Sequence, residues 1–420
     1  MYNSLTALSQ LFQPYLGADF FTLKCAALRP TSLYLLDMFL SAKKVKFSAL
    51  FAVSALLLLT TSCEKDLSPD EPFPDQREAS IYITPSSEKL YALDPETGKR
   101  QWEISLGSNS VGSPVIMGTD LYVATEGRKL VIIDLLTKTE RARVNMSGGG
   151  DPGAIALATD GRHVFTGADR LYAYDLNGIQ LWSYDAGSNI SSAPTIKNNR
   201  VYVAAGDRVH CVDTAGVAIW TSNAVSGGEI KSGVNVTDGS VFYGAEDGIV
   251  YAINESDGSD VWKYTTAGAV NSSPMVYGGM VIVGSDDNFI YNLDVLPDGS
   301  GNGQLRWKVG TGERVRSSAA VHEFSNTVYI GCHDYNVYAL NHVTGDTRYE
   351  YAAGSLVNTS PIVTDEYAYF ASYDKYFYCI RVSDGVTVWK SNLDNICVSS
   401  PVLDLVDEVH YSGISGMSLR

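Results

Sequence analysis

YALDPETGKRQW, residues Tyr91 to Trp102, is the clearest copy of a stretch that the chain repeats. Related copies close at Trp182, Trp220, Trp262, Trp307 and Trp389, while Tyr349 and Ala142 stand where two tryptophans are missing. Successive closing residues lie 38–45 residues apart, and all six tryptophans of the 420-residue chain fall on this beat. Between beats the chain reads as four short apolar runs. In residues 271–307 they are NSSPMVYGG, MVIVGSDDN, FIYNLD and QLRW. Runs rich in Val, Ile and Tyr, broken by Gly, Asp and Asn, are antiparallel strands. Four of them in about 40 residues make a propeller blade.

The innermost strand of each blade starts at Pro114, Ala154, Pro194, Val234, Pro274, Ala319, Pro361 or Pro401. The last start has no tryptophan after it, and the first tryptophan has no start before it, so the two fragments complete each other. The expected fold is therefore all-β: an eight-bladed β-propeller of four-stranded antiparallel blades, closed by joining N- and C-terminal strands in one blade. Both ends carry a middle-strand pattern, which leaves open the end that supplies it. A seven-bladed ring with a loose end is the alternative.

The repeated residues have structural work to do. Asp94, Asp134, Asp175, Asp213 and Asp294 can accept backbone N–H groups in the turn that follows, Asn254 and Asn341 can replace them, and Arg381 cannot do so in the same way. Tryptophan offers a broad apolar face and one donor for wedging between blades. Gly284-Ser285-Asp286-Asp287, Gly244-Ala245-Glu246-Asp247 and Gly331-Cys332-His333-Asp334 each resemble a metal loop singly. As a repeat they are hairpin turns, with the glycines and aspartates as turn residues.

Charge and cysteine narrow the function. The net charge is −16, and the first 63 residues are net positive, so the remaining body is more acidic still. Such a body repels phosphate backbones, which excludes nucleic acid as a partner. Residues 38–62 read as an export signal: Lys43, Lys44 and Lys46 precede an apolar run from Phe47 to Leu59, then Thr60-Thr61-Ser62. The run is short for a membrane span and suits a signal peptide. Cys63 follows directly and is the expected lipidation site, although Leu59 lies one place earlier than a lipoprotein signal prefers. Residues 63–78 are an acidic, Pro-rich tether, residues 1–37 an upstream extension or mis-start, and residues 79–420 the propeller. Cys211, Cys332, Cys379 and Cys397 occupy small apolar slots, and the histidines are scattered without ligand spacing.

The pattern A-x-D-x-x-T-G-x-x-x-W, complete at Ala92, Asp94, Thr97, Gly98 and Trp102, resembles the repeat of the pyrroloquinoline-quinone-like propellers over residues 79–420. That family includes quinoprotein alcohol dehydrogenases. It also includes non-enzymatic bacterial lipoproteins such as the propeller component of the outer-membrane β-barrel assembly machinery. The resemblance implies that Trp102, Trp182, Trp220, Trp262, Trp307 and Trp389 dock blade to blade. For a dehydrogenase it further implies adjacent cysteines, Glu, Asn and Asp ligands for calcium, a catalytic Asp and a longer chain. No adjacent cysteines occur here. The expectation is thus no catalytic residue, no metal and no cofactor, quinone and calcium being the exception to test.

One ring of positions does not repeat. Three residues before each strand start stand Val111, Asp151, Ser191, Lys231, Asn271, Arg316, Asn358 and Val398. Strand alternation turns this ring toward the channel mouth, making Asp151, Lys231, Asn271, Arg316 and Asn358 the candidate binding residues. The expected function is an exported, membrane-tethered, non-catalytic scaffold that docks an envelope protein at a lipid-anchored position, either periplasmic or on the cell surface. The alternatives are capture of a polar small molecule or glycan, and quinone-dependent dehydrogenation.

Overall fold

Eight antiparallel sheets form in the computed structural model, which describes residues 77–110, 112–147, 157–237, 239–406 and 408–411. The signal, Cys63, most of the tether and Asp151 lie outside the described residues. Numbered along the chain, blades 1 to 7 span residues 115–145, 157–184, 195–221, 235–265, 275–310, 320–352 and 362–392, each with four strands in sequential order. Blade 8 joins the chain ends in the order Arg100–Ser105, Lys89–Leu93, Ser80–Ile83, Val402–Asp404, Val409–Tyr411. The N-terminal segment therefore supplies the second, third and outer strands, and Val402–Asp404 takes the place of the first strand. The middle-strand pattern at the C-terminus becomes a fifth strand, Val409–Tyr411, on the free inner edge. Seven blades are four-stranded as expected, and the closing blade has one strand more.

First strands of neighbouring blades approach one another, which sets them around the axis. The second and third strands, such as Met280–Gly284 and Phe289–Asp294, are buried nearly throughout because neighbouring blades cover both faces. That is why they read as continuous apolar runs rather than alternating ones. Eight hydrophobic clusters form, each shared by two adjacent blades. The core thus lies between blades, and no blade owns one.

The beat is explained by a bulge. In every blade the pairing of third and outer strands slips by one residue just before the beat, as where Cys211 faces Trp220 but Val212 faces Ala218. A bulge re-aims the following side chain, here onto the next blade. The Trp182, Trp220, Trp262, Trp307 and Trp389 indoles donate to the carbonyls of Thr214, Glu255, Val295, His342 and Pro95, at 2.7–3.0 Å. Each acceptor sits in the third turn of the following blade. Where Tyr349 replaces Trp, its hydroxyl reaches the equivalent Val382 carbonyl at 3.1 Å. Where Ala142 does, the bulged neighbour Arg141 donates to the Leu176 carbonyl at 2.7 Å. Both irregular seams keep a donor on the same backbone atom.

Candidate functional site: the channel-mouth ring

The loop leading into each inner strand and the turn between second and third strands lie on one face, held together by backbone. Turn N–H groups of Ser86, Glu126, Gly206, Glu246, Asp286, His333 and Tyr373 donate to lead-in carbonyls at 2.8–3.3 Å, in every blade whose lead-in loop is described. The next blade joins in as well. Ile230, Val270, Val315 and Val357 donate their N–H groups to the preceding blade's turn at 2.8–3.0 Å. This approach corrects the reading of Gly244, Gly284 and Gly331. They end strands rather than make turns, and a Cβ on Gly284 would stand 2.4 Å from Val315 Cγ1. The turn's left-handed residue comes later, at Gly248, Asn288 and Tyr335.

The ring residues are held by partners on this face. Lys231 pairs with Glu246 of its own blade, and the ammonium holds that carboxyl below its ordinary pKa. Arg316 forks onto Asp286 of the preceding blade through Nε at 2.9 Å and Nη2 at 2.7 Å, a bidentate pair of the stronger kind. The carboxylate raises the Arg316 pKa in turn. Asn271 Nδ2 donates to the same Asp286 at 3.4 Å, while its Oδ1 has no hydrogen-bond partner among the described residues. Asn358 Oδ1 lies 3.0 Å from His333 Nε2, and Arg314 Nε donates to His333 Nδ1 at 3.2 Å. Those partners place the imidazole proton on Nε2. Ser191 Oγ donates to the Ile230 carbonyl at 2.7 Å. Both candidate cations are thus neutralised, and Asn271 and Arg316 converge on one carboxylate across a blade boundary.

Sequence reasoning named the ring positions as candidates but not the partners Glu246, Asp286, His333 and Arg314 that lie beside the described ones. It also missed a hoop of serines beside the ring. Gly233 N–H donates to Ser273 Oγ at 2.7 Å, Ser273 N–H to Ser318, Ser318 N–H to Ser360 and Ser360 N–H to Ser400 at 3.0–3.2 Å. The residue before each of these, such as Ser272 or Thr359, staples the lead-in to the second strand. Ser272 Oγ accepts from Gly284 N and donates to its carbonyl, at 2.7 and 2.9 Å. The recurring Ser-Ser-Pro was the available signal.

The donors among the described residues do not fit a quinone and calcium. Cys211, Cys332, Cys379 and Cys397 are buried free thiols that never adjoin, with pKa values pushed up by burial to about 11 or 12. Among the described residues no three His, Cys, Asp or Glu side chains gather to hold a metal ion. The turn aspartates are engaged by backbone and tyrosine: Asp287 accepts from Phe289 N–H at 3.1 Å and from the Tyr291 hydroxyl at 2.7 Å. Third-turn Asp94 accepts Glu96 and Thr97 N–H groups, Asn341 does the same for Val343 and Thr344, and in the Arg381 copy Asp384 accepts the Val386 N–H.

A family model described as outer membrane protein assembly factor BamB matches residues 61–140, 133–212, 205–352 and 299–413. The tetrathionate hydrolase of Acidithiobacillus ferrooxidans is 26% identical over 213 residues, covering 48% of this chain and 40% of that protein. The outer membrane protein assembly factor BamB of Moranella endobia is 22% identical over 264 residues, covering 54% of this chain and 67% of that protein. The quinohemoprotein alcohol dehydrogenase of Comamonas testosteroni is 29% identical over 136 residues, covering 28% of this chain and 19% of that protein. This chain therefore spans only part of the length of these curated relatives. Among solved structures, BamB from Moraxella catarrhalis superposes with a TM-score of 0.50 at 22% identity, covering 63% of this chain and 77% of that one. A europium-containing methanol dehydrogenase gives 0.59 at 14%, covering 73% and 84%. At these identities the superpositions speak for the fold alone. The family model extends over nearly the whole propeller, and the chain belongs to the outer membrane protein assembly factor BamB family.

Proposed function

We propose that this chain is an exported, lipid-anchored propeller of the cell envelope that docks a protein partner and carries out no chemistry of its own. Cys63 is its anchor in this reading, and the ring of Asp151, Lys231, Asn271, Arg316 and Asn358 contributes to its docking face. One observation carries the proposal. The loops of that face are cross-linked by backbone and by committed ion pairs, so they form a rigid surface suited to recognition. Family membership adds the envelope setting, as printed in the name of the assembly factor. Crosslinking in the native envelope tests the reading: the intact chain should recover one stoichiometric protein. A Lys231→Ala/Arg316→Ala variant should recover less. Undiminished recovery removes the ring from the docking face, and recovery of no protein removes the docking function.

A second reading comes from relatives named as tetrathionate hydrolase and quinohemoprotein alcohol dehydrogenase. Dye-linked oxidation of an alcohol after addition of quinone and calcium would support it. The donor set described above counts against that outcome.

A further inference from the structure

The outer strand of each blade ends its sheet, so its outward backbone groups have no strand partner within the blade. An edge of this kind invites an added strand, and β proteins block it with charge, cover or bulges. Six of the eight outer strands here contain Lys or Arg. The outer strand of blade 4 is covered as well, because the 298–303 loop folds back until Gly303 N–H donates to the Lys263 carbonyl at 3.0 Å. Two adjacent blades lack the charge and keep only the bulge that every blade shares. Gln180–Tyr184 of blade 2 reads QLWSY and Ala218–Thr221 of blade 3 reads AIWT, with no charged residue in either. They also hold a concentration of exposed aliphatics: Ile179 is 63% exposed, Leu181 49%, Val217 61% and Ile219 42%. Trp182 links the two sets, since it rests on Gly216, the residue before Val217.

We infer that the outer edge of blade 2 is a second docking site, where one extended segment of a partner protein adds as a fifth strand beside Gln180–Tyr184. The inference rests on the protein-docking reading and deepens it by naming a surface and a partner chemistry. The segment alternates apolar residues with Lys or Arg. Its backbone pairs with the free edge, its apolar side chains cover Leu181 and Val217, and its basic side chains face outward. Charge selects this occupant over a second copy of the chain. Two bodies each carrying −16 repel, whereas the same charge steers a basic segment inward. The carboxylates are spread over the whole molecule, so they act on encounter, and the edge itself supplies the hold.

The test uses the full chain and a fluorescent short peptide of alternating lysine and valine, followed by anisotropy. The peptide should bind, and the same peptide N-methylated on alternate amides should bind at least ~10-fold more weakly, because it keeps charge and side chains but cannot pair. Leu181→Lys and Val217→Lys, both on exposed positions, should each weaken binding by about 10-fold with the thermal midpoint unchanged. Equal binding of the N-methylated peptide, or of the peptide to both variants, overturns the edge site. Crosslinking separates this failure from failure of the docking reading. A partner captured by the chain and lost from Leu181→Lys supports the edge, and one captured equally by both overturns the edge while docking stands. If neither captures any partner, docking itself fails and the strand segment has no source.

Discussion

Gly258 adopts φ 74, and a Cβ there would stand 2.6 Å from Trp220 Cε3 of the preceding blade. Alanine at this position would combine the left-handed backbone cost with overlap onto an aromatic ring. Gly258→Ala is expected to lose about 2–4 kcal/mol. Gly161, at φ 85 with nothing within 4 Å of its Cβ position, carries the backbone cost alone, about 1 kcal/mol. Urea midpoints of the two variants would separate the contributions. The sequence showed both halves of this device, since Gly and Trp recur at fixed spacing. It could not show that the Trp of one copy sits on the Gly of the next, because that pairing exists only once the ring closes. A second residue-scale prediction concerns His210, which is buried with Nδ1 at 3.0 Å from the Tyr184 hydroxyl and 3.3 Å from Thr221 Oγ1. Burial lowers its pKa from the ordinary 6.5, Arg208 adds to the shift and Asp207 opposes it. The fold thus favours neutral imidazole, and the unfolded chain takes up the proton first. Stability is present above the ordinary value and lost as pH falls through it. Against His210→Gln, the stability difference should narrow between about pH 8 and pH 5, as read by denaturant melts at each pH.

At the scale of elements, strands were legible because burial on both faces leaves unmistakable apolar runs bounded by turn residues. The lead-in loops were less so. Their order comes from hydrogen bonds that serine makes across blade boundaries, and a serine in sequence looks the same whether it faces water or backbone. The Ser272 staple and the Ser318 link in the hoop allow these roles to be measured. Ser272→Ala leaves Gly284 N–H and C=O without their side-chain partner in a fully buried setting. It should cost about 1–3 kcal/mol. Ser318→Ala strands only Ser273 N–H, which is part-buried, and should cost no more than about 1 kcal/mol. Thermal midpoints in that order would establish that the staple outweighs the hoop. The ring partners were hidden for a related reason. Arg316 and Asp286 lie 30 residues apart, on different blades, and only the closed face brings them together.

The closed molecule depends on one seam that the repeat does not build. Blade 7 meets blade 8 through the ordinary device, Trp389 over Gly98, but blade 8 meets blade 1 where Lys138 stands in the glycine place at φ 57. Other contacts hold this seam. The Tyr411 hydroxyl accepts from Ile116 N–H at 3.0 Å and donates to the Ile116 carbonyl at 3.2 Å, from the fifth strand to the inner strand of blade 1. Arg77 binds three places at once: the Gly118 carbonyl of blade 1 at 2.8 Å, the Val406 carbonyl at 2.9 Å, and Asp404 at 3.3 Å. The Asp404 side chain is fully buried, and its Oδ2 has no hydrogen bond among the described residues, so the Arg77 guanidinium is the charge paired with it there. Burial nevertheless raises the Asp404 pKa, which means the fold favours the protonated acid. Stability is then highest with the proton on and declines as pH rises from the ordinary 3.8 through the raised value. Removing the cation should deepen that decline. Arg77→Met strands a buried carboxylate and is expected to cost about 3–5 kcal/mol at neutral pH, with much of the loss recovered on acidification. Adding Asp404→Asn should restore most of the neutral-pH stability, since removing both charges of a buried pair costs far less than removing one. Denaturant melts of the chain, the single variant and the double variant at acid and neutral pH would check this. A single variant as stable as the chain at neutral pH would show that the ring closes without the Arg77 clasp.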